Sequence, residues 1–258
     1  SEAEAELAAD ALWQGGPSAV SERSLGDGRV VLTADPAEPD RIDPRWPVEV
    51  VEPDGEAHLD AWREWARPAR AGRRILLQPA WLPASDAADG DVVIVLDPGR
   101  AFGSGSHPST RMVLAVLEDV IGGGERILDL GCGSGVLGIA ACRLGAAASI
   151  ALDVDPEAVE VTRANAAANG VGDRIVASGD DLATVAETFD VVVANIGVRV
   201  LSEIAPELVE RVQPGGLLVL AGLLDVQVDA VASACVGCAE VDRRSEDGWS
   251  ACVLRRTA

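Results

Sequence analysis

Asp129-Leu-Gly131-Cys-Gly133-Ser-Gly135 is the stretch on which the fold turns. Just before it, Arg126-Ile-Leu-Asp-Leu130 reads as a short buried strand, and after it residues 136–144 read as an apolar helix closed by Gly145. Glycines between a strand and a helix let the chain turn sharply and let a ligand approach the main chain. Downstream the alternation continues. Strands are expected at residues 149–153, 174–177, 189–194, 217–221 and 249–254. A helix capped by Asp155, with Pro156 at its first position, should end at Asn169-Gly170. Another should span residues 201–212. Strands joined by helices in this order predict an α/β, doubly wound parallel sheet with ligands at the carboxyl ends of its strands.

Upstream, Pro108 marks a helix start, and Met112, Val113, Val116, Leu117 and Val120 recur at helical spacing. Two short strands are expected at residues 74–78 and 92–96. Residues 56–70 read as a linker helix, with Pro68 near its end, and residues 71–258 as the main domain. Residues 1–55 read as a small α+β domain. It has a helix over 2–13 and a hairpin pairing 19–23 with 29–33, then a proline- and acid-rich connector over 35–53.

The glycine loop carries the first chemical signal. Read from Gly131, the G-x-G-x-x-G fingerprint of dinucleotide sites fails, because Val136 stands where its third glycine belongs. G-x-G-x-G with an acid two residues upstream is the form commoner in enzymes that bind S-adenosylmethionine (SAM). Asp153 follows Gly131 by 22 residues and ends the second strand, where a carboxylate can accept both ribose hydroxyls of an adenosyl group. Asp180, after the third strand, could meet the adenine amino group. Asn195 ends the fourth strand and could orient an amine. His107 is the titratable group of a glycine- and hydroxyl-rich loop, with a catalytic or a structural role open to it.

Composition narrows the partners. Residues 1–98 hold 20 acidic side chains and 9 arginines and the remainder 22 and 12, so the net charge of −21 is spread along the chain. That leaves no basic patch for phosphates and disfavours direct nucleic-acid binding. The acidity suits either salt adaptation or attraction of a basic partner. No apolar run approaches the roughly 18 residues that would suggest a membrane span, and no signal peptide is read at the start, so a cytoplasmic location is expected. Cysteines at 132, 142, 235, 238 and 252, with histidines only at 58 and 107, suggest buried thiols rather than a disulfide framework or a metal site.

The segments AFGSGSHPST (101–110), DLGCGSGVLGIAA (129–141), LDVDP (152–156) and VANI (193–196) together resemble the PrmA family, methyltransferases of large-subunit ribosomal protein eleven. The resemblance spans about residues 57–258. It implies a seven-stranded class I methyltransferase (Rossmann-like) domain, preceded by a small ferredoxin-like domain that recognises the substrate. It further implies SAM contacts at Thr110, Gly131, Asp153 and Asn195, to which the loop geometry adds Gly133 and Gly135. The implied reaction is methylation of lysine ε-amines and an N-terminal α-amine, on a basic ribosomal protein as partner. The chain departs from the family in the residues after Asn195 (Ile196-Gly-Val-Arg-Val-Leu201) and in a short N-terminal part. Both departures touch the acceptor side, so a small-molecule methyltransferase on the same fold is the alternative.

Overall fold

A computed structural model describes residues 19–24, 30–35, 67–83, 87–97, 99, 105 and 107–257. Internal contacts divide the chain into two units, residues 1–58 and 59–258. In the first unit, β1 (Ala19–Ser24) and β2 (Val30–Asp35) pair antiparallel with Ser24 opposite Val30, the hairpin expected from the sequence. The helix expected over 2–13 and most of the expected linker helix lie outside the described residues.

The second unit is built on seven strands: β6 (Arg126–Leu130), β7 (Ala148–Leu152), β8 (Ile175–Ser178), β9 (Phe189–Asn195), β10 (Val212–Leu224), β11 (Cys238–Glu246) and β12 (Trp249–Arg256). Their order across the sheet is β11-β12-β10-β9-β6-β7-β8. The five strands β6 to β10 run parallel, whereas β12 is antiparallel to both its neighbours. The chain starts mid-sheet at β6, builds outward through β7 and β8, then returns to the other side of β6 with β9. Crevices for ligands form at such a reversal, beyond the carboxyl ends of the strands.

Helices α1 (Pro108–Val120), α2 (Val136–Leu144) and α3 (Pro156–Ala168) pack on one face, and α4 (Val198–Arg211) and α5 (Val228–Ala234) on the other. Strand alternation decides which residues reach which layer. Along β9, Val191 and Val193 join the core under α1 and α2, while Val192 and Ala194 join the core with Leu201 and Leu208 of α4. Helix α3 starts where local chemistry dictates: the Asp155 carboxylate accepts the Glu157 N–H at 2.8 Å and Pro156 occupies the first position.

The upstream strands do not extend this sheet. β3 (Ala69–Ala71), β4 (Ile75–Pro79) and β5 (Val92–Leu96) form a separate three-stranded sheet, β3-β4 antiparallel and β4-β5 parallel. Ile75, Leu77, Ile94 and Leu96 pack into the same core as α1 and α2, so these helices have a sheet on either side. β3 corrects the end of the expected linker helix: residues 69–70 are strand, because they pair with Leu76 and Leu77 of β4. α5 and β11 have no counterpart in the sequence-based expectations. No helix among the described residues is long and apolar enough to cross a membrane.

Candidate functional site

Four strand ends bring the expected residues to one edge of the sheet. The loop after β6 carries Gly131, Gly133 and Gly135, all with left-handed backbone (φ of 71°, 53° and 78°). β7 delivers Asp153, β8 leads to Asp180, and β9 ends on Asn195. Ile196 follows and packs on the loop: a Cβ on Gly131 would run into the Ile196 side-chain methyl, and the left-handed backbone there favours glycine as well.

Asp153 holds the loop in place. One of its oxygens accepts the Gly133 N–H at 2.8 Å and the other accepts the Asp155 N–H at 3.0 Å. Each carboxylate oxygen has lone pairs for more than one donor, so the half-buried group retains acceptor capacity for a diol. Two loop carbonyls are held from α3: Thr162 Oγ1 donates to Gly133 O at 3.0 Å, and Asn165 Nδ2 to Ser134 O at 2.9 Å. Thr162 and Asn165 carry no signal in the sequence, since a buried polar side chain on a helix is not distinguishable there from a solvent-facing one.

Asp129 takes a different place from the rest. Its carboxyl is fully buried, accepting the Gly138 N–H at 3.0 Å with one oxygen while the other has no hydrogen-bond partner. Burial pushes its pKa up to about 7, helped by the Asp153 charge. This carboxyl takes the N–H of the third residue of α2, one of the helix-start donors on which dinucleotide sites hold a pyrophosphate.

On the other side of the crevice, Asn195 Nδ2 donates to Thr110 Oγ1 at 3.3 Å, so these two residues stand together. Thr110 is buried in the first turn of α1. His107 is the N-cap of that helix: its Nδ1 accepts the Ser109 N–H at 3.2 Å and lies 2.7 Å from the Ser109 hydroxyl. Its ring stands edge-on to Trp249 with centroids 4.6 Å apart. Burial, and then the Arg111 charge, lower its pKa, which favours the neutral ring at pH 7. Residues 101–104 and 106 of the same loop lie outside the described residues. Asp180 is exposed, and it is the neighbouring Asp181 that caps the short turn 182–184.

The five cysteines are free thiols, four of them buried. Burial raises the Cys132 and Cys252 pKa values to about 12 and that of Cys235 to about 11, so these three stay protonated and inert as nucleophiles. Among the described residues no three His, Cys, Asp or Glu side chains come together as a metal site.

Asp153 is open to a direct test. Replacing it by alanine should weaken SAM binding by about 1.5–3 kcal/mol, the scale of a hydrogen bond to a charged group. An analogue lacking the ribose hydroxyls should lose similar affinity on the parent protein but little more on Asp153→Ala. Additive losses in that cycle, read by calorimetry, would leave Asp153 only its hold on the loop.

Comparison with known proteins supplies the context. The family model described as ribosomal protein L11 methyltransferase (PrmA) matches residues 39–257. The ribosomal protein L11 methyltransferase of Pelobacter propionicus is 40% identical over 206 residues, 77% of this chain and 66% of that protein. That of Symbiobacterium thermophilum is 40% identical over 232 residues, 89% of this chain and 70% of that protein. The chain thus spans about two thirds of the length of the curated relatives it matches. The crystal structure of the ribosomal protein L11 methylase from Lactobacillus delbrueckii subsp. bulgaricus matches with a TM-score of 0.70 at 27% identity, over 75% of this chain and 100% of that one.

Proposed function

Because the chain belongs to the ribosomal protein L11 methyltransferase (PrmA) family, we propose that it is a SAM-dependent N-methyltransferase acting on amino groups of a ribosomal protein. The acceptors are lysine side chains, an N-terminal amine or both. The observation that carries this reading is the convergence of the glycine loop, Asp153 and the Asn195–Thr110 pair at the chain reversal between β6 and β9. The residue set suits SAM: Asp153 is an acceptor for ribose hydroxyls, and Asp129 already takes one of the helix-start N–H groups that a pyrophosphate would use.

When bound, SAM supplies a methyl group activated by its sulfonium; the protein supplies alignment and removal of water. Gly131, Gly133 and Gly135 allow the main chain to approach the ligand closely. Asp180, two residues past β8, is the partner this reading assigns to the adenine amino group. Asn195, half-buried and fixed by Thr110, presents a neutral amide that orients the acceptor amine without adding charge. Charge matters here: an ordinary lysine has a pKa of about 10.4, so its neutral form costs roughly 4 kcal/mol near pH 7.4. The acidity of the chain would increase that cost, and the site must offset it by desolvating the ammonium locally. His107 contributes by setting the start of the helix that carries Thr110, and no dedicated strong base is required.

Incubation with methyl-labelled SAM and purified ribosomal protein L11, followed by mass analysis, tests the reading. Label on lysine or terminal amines of the ribosomal protein is the expected result. Label confined to small molecules of a cell extract would favour the alternative acceptor class. The same reading places the protein in the cytoplasm, with no direct contact to nucleic acid.

A further inference from the structure

Helix α3 and the Asn169 cap that ends it turn a row of polar side chains, Thr162, Asn165 and Asn169, toward the interior instead of toward solvent. Asn169 acts as a substitute strand for β5: its Oδ1 accepts the Val95 N–H at 2.8 Å and its Nδ2 donates to Val95 O at 2.7 Å. Asn165, one turn earlier and 4% exposed, reaches two segments at once. Its Oδ1 accepts the Asp97 N–H at 3.0 Å, and its Nδ2 donates to Asp97 O at 3.1 Å and to Ser134 O at 2.9 Å. A carboxamide is suited to this because it donates and accepts from one short side chain.

We propose that Asn165 is a positioning residue that sets the cofactor loop by tying its Ser134 carbonyl to the carboxyl end of β5, so that the three-stranded sheet preorganises the cofactor site. The inference rests on the SAM reading above. Ser134 lies between Gly133 and Gly135, in a loop whose glycines have much conformational freedom to lose on ordering. A tether that removes this freedom before the ligand arrives raises affinity without touching the ligand. The anchor is firm, since Ile94 and Leu96 of β5 are buried in the same core as α1 and α2. Asn169 shares the hold on β5 but makes no bond to the loop, which separates the two roles.

Calorimetry with SAM on the unmodified protein, Asn165→Leu and Asn169→Leu tests the assignment. Both variants should lower Tm, because Asn169→Leu strips hydrogen bonds from the β5 backbone and Asn165→Leu from the residue that follows it. Only Asn165→Leu should also raise the SAM Kd, by roughly tenfold, the scale of one buried hydrogen bond. An unchanged Kd in folded Asn165→Leu, or an equal rise in both variants, overturns the proposal. A measurement that needs no variant guards against misfolding: saturating SAM should slow exchange of the Asp97 amide hydrogen at least about tenfold in the unmodified protein. No change in that exchange overturns the proposal as well. Failure of the unmodified protein to bind SAM is a separate result, which removes the functional reading and this inference with it.

Discussion

Gly133→Val should lose SAM binding by roughly a hundredfold or more while the protein stays folded. Gly133 has φ of 53°, in the left-handed region that a β-branched residue enters only at a cost of about 1–3 kcal/mol. The loop can relieve that strain only by moving. Its N–H would then leave the Asp153 carboxylate and its carbonyl would leave Thr162. The contact of the loop with Asp153 and the proposed approach of the ligand to the main chain are therefore lost together. The core should survive, since β6 and α2 on either side are held by buried apolar contacts, Ile127 and Leu128 on the strand and Ile139 and Ala140 on the helix. Calorimetry alongside circular dichroism reads both halves of the prediction. A folded variant with unchanged SAM affinity would take the loop out of the cofactor site.

Removing residues 1–58 should leave SAM affinity nearly intact and lower turnover on a basic ribosomal protein by orders of magnitude. The cut coincides with the division of internal contacts between the two units, and every residue assigned to the cofactor lies beyond it. A docking unit raises the rate by spending remote binding energy on alignment of the acceptor amine. With −21 of net charge on the enzyme, kcat/KM for a basic acceptor should also fall as salt rises past roughly 0.15 M, where the screening length is about 8 Å. Transfer of labelled methyl at a series of salt concentrations measures both effects. A truncated chain that folds, binds SAM and methylates the ribosomal protein at the full rate would end the protein-acceptor reading.

Much of this molecule is legible in the sequence because the deciding interactions are local. Val136 to Leu144 could be read as a helix from apolar spacing and Gly145, and α3 from the Asp155-Pro156 cap, since both signals act within a turn or two of the chain. The glycine loop was readable for the same reason, as were the strand ends that carry Asp153 and Asn195. What the sequence left open depends on partners far along the chain. β11 has many exposed, charged side chains, among them Glu240, Asp242 and Arg243, and is a strand only because its backbone pairs with β12. Edge strands are often charged in this way, so their composition does not distinguish them from loops. β4 and β5 are legible as strands, yet their pleats do not say that they form a sheet of their own on the outer side of α1 and α2. The clearest case is α3. In sequence, Asn165 is one polar position of a helix and Asn169 the residue that ends it, and nothing local says that either side chain leaves water. Only the arrival of β5 and the glycine loop buries them, because main-chain groups brought there by distant segments need hydrogen-bond partners once water is excluded.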